Sequence, residues 1–154
     1  MHSASLPPQS DFTVILCEDI RDERHGKQSL MGVYPGSSIV LKKAEGPKYR
    51  LPSLAIFARL ANVPPGEHQL SIGLLGPDGA EGLPTANTSV IVPSRSFQKL
   101  GTVVTGIKMV NMEVIEGTYK LEVRVSGEPY HSSFEVFALD SDAYEEHQRT
   151  IQAN

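Results

Sequence analysis

Residues 17–26 read CEDIRDERHG and bring together a thiol, four carboxylates (Glu18, Asp19, Asp22 and Glu23), two guanidinium groups (Arg21 and Arg24) and an imidazole. Carboxylates this dense are the hard oxygen donors that calcium takes. Arg21 and Arg24 are interleaved with them, however, and would neutralise a cation site. The spaced acids and fixed glycine of a helical calcium loop are also missing. The stretch is therefore expected to be a structural loop over 18–26, with Arg21 paired to a nearby acid and Asp19 accepting from turn amides. Its binding candidates are Glu18, Asp19, Arg21, Asp22 and Glu23, facing a partner, with no metal and no cofactor.

Cys17 closes an apolar run and is followed by acids, which raise a thiol's pKa, so a buried structural cysteine fits better than a nucleophile. It is the only cysteine, which excludes an intrachain disulfide and a cysteine zinc cluster. His2, His25, His68, His131 and His147 are scattered, with no HxH or HExxH spacing. His68, just before an alternating run, suits a satisfied turn or core histidine. The glycines of SIGLLGPDGAEG precede no helix, so they form no strand-to-helix phosphate cradle. No catalytic residue is assigned, and the chain is expected to be non-enzymatic.

The elements that must position these groups follow from a two-residue period, which lines one face of a strand with apolar side chains. In GTYKLEVRV, Tyr119, Leu121, Val123 and Val125 alternate with polar residues. HQLSIGLL does the same with Leu70, Ile72 and Leu74, and LAIFARL with Leu54, Ile56, Ala58 and Leu60. Turn residues separate the runs: Pro64-Pro65-Gly66, Pro77-Asp78-Gly79, Glu116-Gly117 and Ser126-Gly127. With runs at 14–17, 29–34, 38–42, 88–92, 102–114 and 133–139, about eight or nine strands result. The fold expected is all-β: a single antiparallel two-sheet sandwich, immunoglobulin-like or similar, with Tyr119, Leu121, Val123, Leu70, Ile72, Leu74, Ile56 and Leu60 in its core. Residues 1–10 read as a flexible leader, 11–139 as the sandwich, and 140–154 as a polar tail, frayed or a short helix capped by Asp142 and anchored by Tyr144 and Ile151.

The run TVVTGIKMVNMEV carries apolar residues in both phases. Either a bulge near 108–110 turns them inward, or Val104, Ile107, Met109 and Val110 lie against another chain.

VILCEDIRDERHGKQSLMGVYPG resembles the start of a family of small bacterial proteins catalogued as a domain of unknown function. Its members open with a strand, a Cys-Asp-Asp/Glu-Ile-Arg-x-Glu loop and a strand ending Leu-x-Gly-x-Tyr. LPSLAIFARL, the Pro-Gly-x-His turn and GTYKLEVRVSGE extend the likeness over most of the folded chain. The resemblance implies no activity. Glu18 stands where the family carries Asp or Glu, and Arg24-His25 widens the loop. A second resemblance, to immunoglobulin-like sandwiches, rests on Glu116-Gly117-Thr118-Tyr119-Lys120-Leu121. There a tyrosine bonds back to the chain at a corner, two residues before a core position held here by Leu121. It concerns fold alone.

At 154 residues and 40% hydrophobic composition, the chain can bury one core without staples. Fourteen basic against eighteen acidic residues, a net charge of −4, leave no basic face for nucleic acid. No apolar stretch reaches membrane-spanning length and MHSASLPPQSDF lacks a basic region followed by an apolar one, so a soluble, cytoplasmic protein is expected. The function expected is an interaction module binding a protein partner or itself. The alternative is a small-ligand, carbohydrate or metal-binding module using loops at one end, and after it an enzyme whose residues converge only in three dimensions.

Overall fold

The computed structural model describes residues 5–153. Among them are nine strands, β1 (Phe12–Asp22), β2 (Gln28–Val33), β3 (Ser38–Lys42), β4 (Tyr49–Val63), β5 (Gly66–Leu75), β6 (Glu81–Val92), β7 (Gly101–Val114), β8 (Gly117–Val125) and β9 (Glu128–Leu139), then a helix, α1 (Ser141–Gln152). One sheet has the order β2-β1-β4-β7 and the other β3-β9-β8-β5-β6. The eight core residues expected from alternation are all buried between the sheets. The predicted two-sheet sandwich is thus the fold.

One pairing departs from the antiparallel expectation: β3 runs parallel to β9, with Ser38 opposite Glu135. The chain reaches it by leaving β2 at Pro35, which has no N–H to extend a ladder, and turning at Gly36, whose φ of +93° suits glycine.

The apolar residues of β7 do change phase, but no bulge lies at 108–110. The β4–β7 register is unbroken from Leu51 opposite Met112 to Leu60 opposite Val103, and it shifts only between Leu60 and Val63. Both strands change phase at the same level instead. Leu51 and Met112 face inward, the following Pro52–Ser53 and Val110–Asn111 do not, and Leu54 and Met109 face inward again. Asn111 carries the change with a left-handed φ of 53°, and its carbonyl accepts from Arg50 Nη1 at 3.0 Å. Because the two strands switch together, the rungs on either side of the switch stay in register, and only Pro52 opposite Asn111 is unpaired there.

The leader also differs from expectation over residues 5–10. Pro7 is buried, and its carbonyl accepts from the Tyr130 hydroxyl at 2.6 Å. Leu6 packs on the core, and Gln9 bonds the backbone of His131. At the other end α1 is capped by Asp140, whose carboxylate accepts from Ala143 N at 2.9 Å. Asp142 stands in the first turn, where its charge suits the helix N-terminus.

Candidate functional site

The acidic stretch is strand and not loop as far as Asp22; only Glu23 and the turn at 24–26 lie beyond it. β1 pairs with β4 up to Cys17 opposite Ala55, then continues with β2 alone. The hairpin thus freed lies over the outer face of its own sheet, where Cys17, Ile20 and Ala55 form a second buried cluster with Leu30 and Phe57 against it. Gly106 of β7 permits the close approach, since a Cβ there would press on Ile20 Cδ1 at 3.0 Å.

Within this hairpin each carboxylate with a protein bond has a local partner. Asp19 meets Lys108 Nζ at 3.2 Å and Arg21 Nε at 3.5 Å, and accepts from Ile20 N at 2.9 Å. The Lys108 contact holds its carboxyl below the usual aspartate range. Asp22 accepts from Gln28 at 3.0 Å and Glu23 from Ser29 at 2.9 Å. Glu18 lies beside Gly32, where a side chain would collide with it. These acids brace the hairpin, and no cluster of three or more metal-ligating side chains occurs among the described residues. Cys17 is buried, and burial, with Asp19 beside it, pushes its thiol pKa up.

Of the four residues expected at an interface, Met109 is buried in the main core and Ile107 packs against it. The other two, Val104 and Val110, stand exposed on the opposite face of β7. The four therefore do not form one surface. β7 is nevertheless an end strand of its sheet, and β6 an end strand of the other. The segment joining them, 93–100, is a tight loop with an isolated bridge between Arg95 and Gln98, and Arg95 sits 5.9 Å from the Phe97 ring centre. Phe97 is 81% exposed and Ile91 73%, with Leu100 and Val104 following; Val110, 75% exposed, lies farther along β7. Sequence reasoning missed Ile91, Phe97 and Leu100. The signal for Phe97 was available: a lone aromatic in the polar run PSRSFQKL.

His68 is the satisfied histidine expected of it. Nε2 lies 2.7 Å from the Pro64 carbonyl, which can only accept, so this nitrogen carries the proton. In the neutral ring Nδ1 then accepts from the Ser126 hydroxyl at 2.9 Å. Ser126 has a φ of 47° and is followed by Gly127 at 84°, the left-handed pair of a two-residue hairpin turn. Glu67 and Glu128 line the same cleft, so its charge opposes a developing oxyanion. The Ser–His contact orders a hairpin end.

A model of a family of unknown function, DUF6941, matches residues 13–134, and the chain belongs to that family. No curated protein sequence matches it. Among solved structures, an alkylpurine DNA glycosylase, AlkC, from Pseudomonas fluorescens, bound to DNA with an abasic site analog, is 14% identical with a TM-score of 0.34, covering 67% of this chain and 28% of its own. A β-glucosidase from Listeria innocua, in complex with isofagomine, is 12% identical with a TM-score of 0.37, covering 83% and 16%. The same enzyme with gluconolactone is 11% identical with a TM-score of 0.38 and the same coverage. The chain thus spans under a third of each of these structures.

Proposed function

We propose that the protein is a non-catalytic interaction module that presents the β7 edge and the 93–100 connection to another protein chain, a partner or a second copy of itself. One observation carries this: the apolar residues Ile91, Phe97, Leu100, Val104 and Val110 stand in solvent along the two end strands and the loop between them. Single exposed apolar residues are ordinary, but grouping along an open sheet edge is what proteins otherwise avoid, because unpaired N–H and C=O groups there recruit further chains.

The strand order supports an immunoglobulin-like arrangement. β1, β4 and β7 share one sheet, while β5, β8 and β9 share the other with β6 added at its edge, as in sandwiches of that type. Such domains commonly serve as interaction scaffolds, although fold alone names no partner. A cytoplasmic setting fits the lone, buried and unpaired Cys17.

Sedimentation velocity over a concentration series tests the self-association branch. The native chain should move from a monomer to a dimer or larger species, and Phe97→Ser with Val110→Lys should hold it monomeric with its melting temperature kept. An assembly that survives both substitutions would refute the edge as its interface.

A further inference from the structure

β1 is 11 residues long, yet β2 covers only its second half. Beyond that pairing one more bond follows, from Tyr34 N–H to the Leu16 carbonyl at 2.9 Å. Pro35 and Gly36 then divert the chain to the other sheet, where the Ser37 carbonyl accepts from Glu135 N–H at 2.9 Å and β3 runs on along β9. Two stretches of edge are left facing one another, the start of β1 and the part of β9 before Glu135.

Backbone groups two residues apart on a strand point the same way. Since Leu16 points to the open side of β1, so do Val14 and Phe12, the Phe12 N–H being taken by the Gln9 carbonyl; since Glu135 does on β9, so do Ser133 and His131. His131 is already engaged: its N–H donates to Gln9 Oε1 at 3.0 Å and its carbonyl accepts from Gln9 Nε2 at 2.9 Å. A carboxamide carries the same donor and acceptor as a peptide unit, so this edge holds one peptide-like group in the manner of a strand. At Ser133 and Val14, no described residue bonds the outward backbone groups. Between the edges runs a cleft of about 490 Å³, floored by Leu16, Leu121 and Phe134 and rimmed by the serines at 132 and 133.

We propose that this slot accepts an extended segment of another protein, added as a short strand along β1 in the line that β2 vacates. Backbone bonds to Val14 and Ser133 would hold it, and the apolar floor would take one or two of its side chains. A purely apolar ligand would use the floor and leave the backbone groups idle; continuity with the β1–β2 ladder and the docked Gln9 carboxamide favour a peptide. The slot lies at the far end of the sheet from β7, so this inference stands or falls separately from the edge interface.

The probe is the peptide acetyl-Thr-Val-Thr-Val-Thr-amide, titrated into the isotope-labelled full chain and followed by amide NMR. The Val14 and Ser133 amide signals should shift saturably and exchange more slowly with solvent. The same peptide N-methylated at both valines keeps its side chains but loses backbone donors, and should bind about tenfold more weakly or worse. Ser132→Phe, which points a ring at the floor, should abolish the shifts without lowering the melting temperature. Equal binding of the methylated peptide would reduce the slot to an apolar cavity and overturn the proposal. So would shifts confined to other residues, or no saturable shift at about 5 mM peptide, beyond the weakest affinities such a contact should give.

Discussion

Replacing Tyr119 by Phe isolates one hydrogen bond in the core. Tyr119 is buried on β8, its ring stacked on Phe134 with centroids 5.1 Å apart and planes within 4°. Its hydroxyl accepts from Ile115 N at 3.1 Å across the turn between β7 and β8. Phenylalanine keeps the ring, the stack and the volume, and removes only the acceptor. The part-buried N–H of Ile115 is then left unbonded, which costs about 1–3 kcal/mol. For a chain of this size that corresponds to a fall in melting temperature of roughly 2–12 °C. Urea unfolding followed by circular dichroism should show an earlier midpoint with an unchanged slope, because the surface exposed on unfolding is the same. Leu121→Ala, at the next inward position, deletes buried volume as well and should cost about 2–5 kcal/mol. If Tyr119→Phe left stability within about 0.5 kcal/mol while Leu121→Ala behaved as stated, the corner bond would be incidental, and the turn would be held by packing alone.

Calcium at about 1 mM should leave the melting temperature unchanged, since Asp19 is paired with Lys108 of β7, Asp22 and Glu23 are bonded within the β1–β2 hairpin, and a ligand of the folded state alone would have to raise it. Burial pushes the Cys17 thiol and the Tyr34, Tyr119 and Tyr130 hydroxyls up, so the folded chain keeps these protons longer than the unfolded chain does. Their contribution is whole below the usual cysteine and tyrosine ranges and is lost as pH rises from about 9 through the folded values; melting temperatures between pH 7 and 11 should fall, less steeply in Tyr34→Phe. At the acid end Asp19 works in the opposite sense, its contribution present above the usual aspartate range and lost as pH falls through its lowered value. Lys108→Ala should weaken that dependence in an acid titration, the Ile20 and Arg21 contacts of Asp19 remaining.

Alternation located the core because it is a local signal: GTYKLEVRV and HQLSIGLL place each side chain by position alone. The Tyr119 corner and the Pro64 contact of His68 were legible for the same reason, each being set by a turn four residues away. What was not legible depends on partners distant in sequence. The acids from Glu18 to Asp22 resemble a loop because alternation fails there, and it fails because the hairpin leaves β4 and buries Ile20 on the outside of the sheet against Gly106. The double phase of TVVTGIKMVNMEV suggested a bulge, since one strand alone cannot reveal that Pro52 and Ser53 on β4 make the same switch opposite it. The leader looked loose because Pro7 and Gln9 are held through a backbone carbonyl and a carboxamide, contacts that leave no apolar pattern.

The claim that the β7 side of the sandwich meets another protein chain is tested most directly by site-specific photo-crosslinking in the cell of origin. A photoreactive residue is placed at Phe97 or Val110, with Gln69, exposed on the outer face of the other sheet, as the control position. The account predicts a discrete crosslinked product of one mass from Phe97 and Val110, either a dimer of the chain or a single partner, and none from Gln69. No product from Phe97 and Val110, or the same diffuse set of products from all three positions, would contradict it.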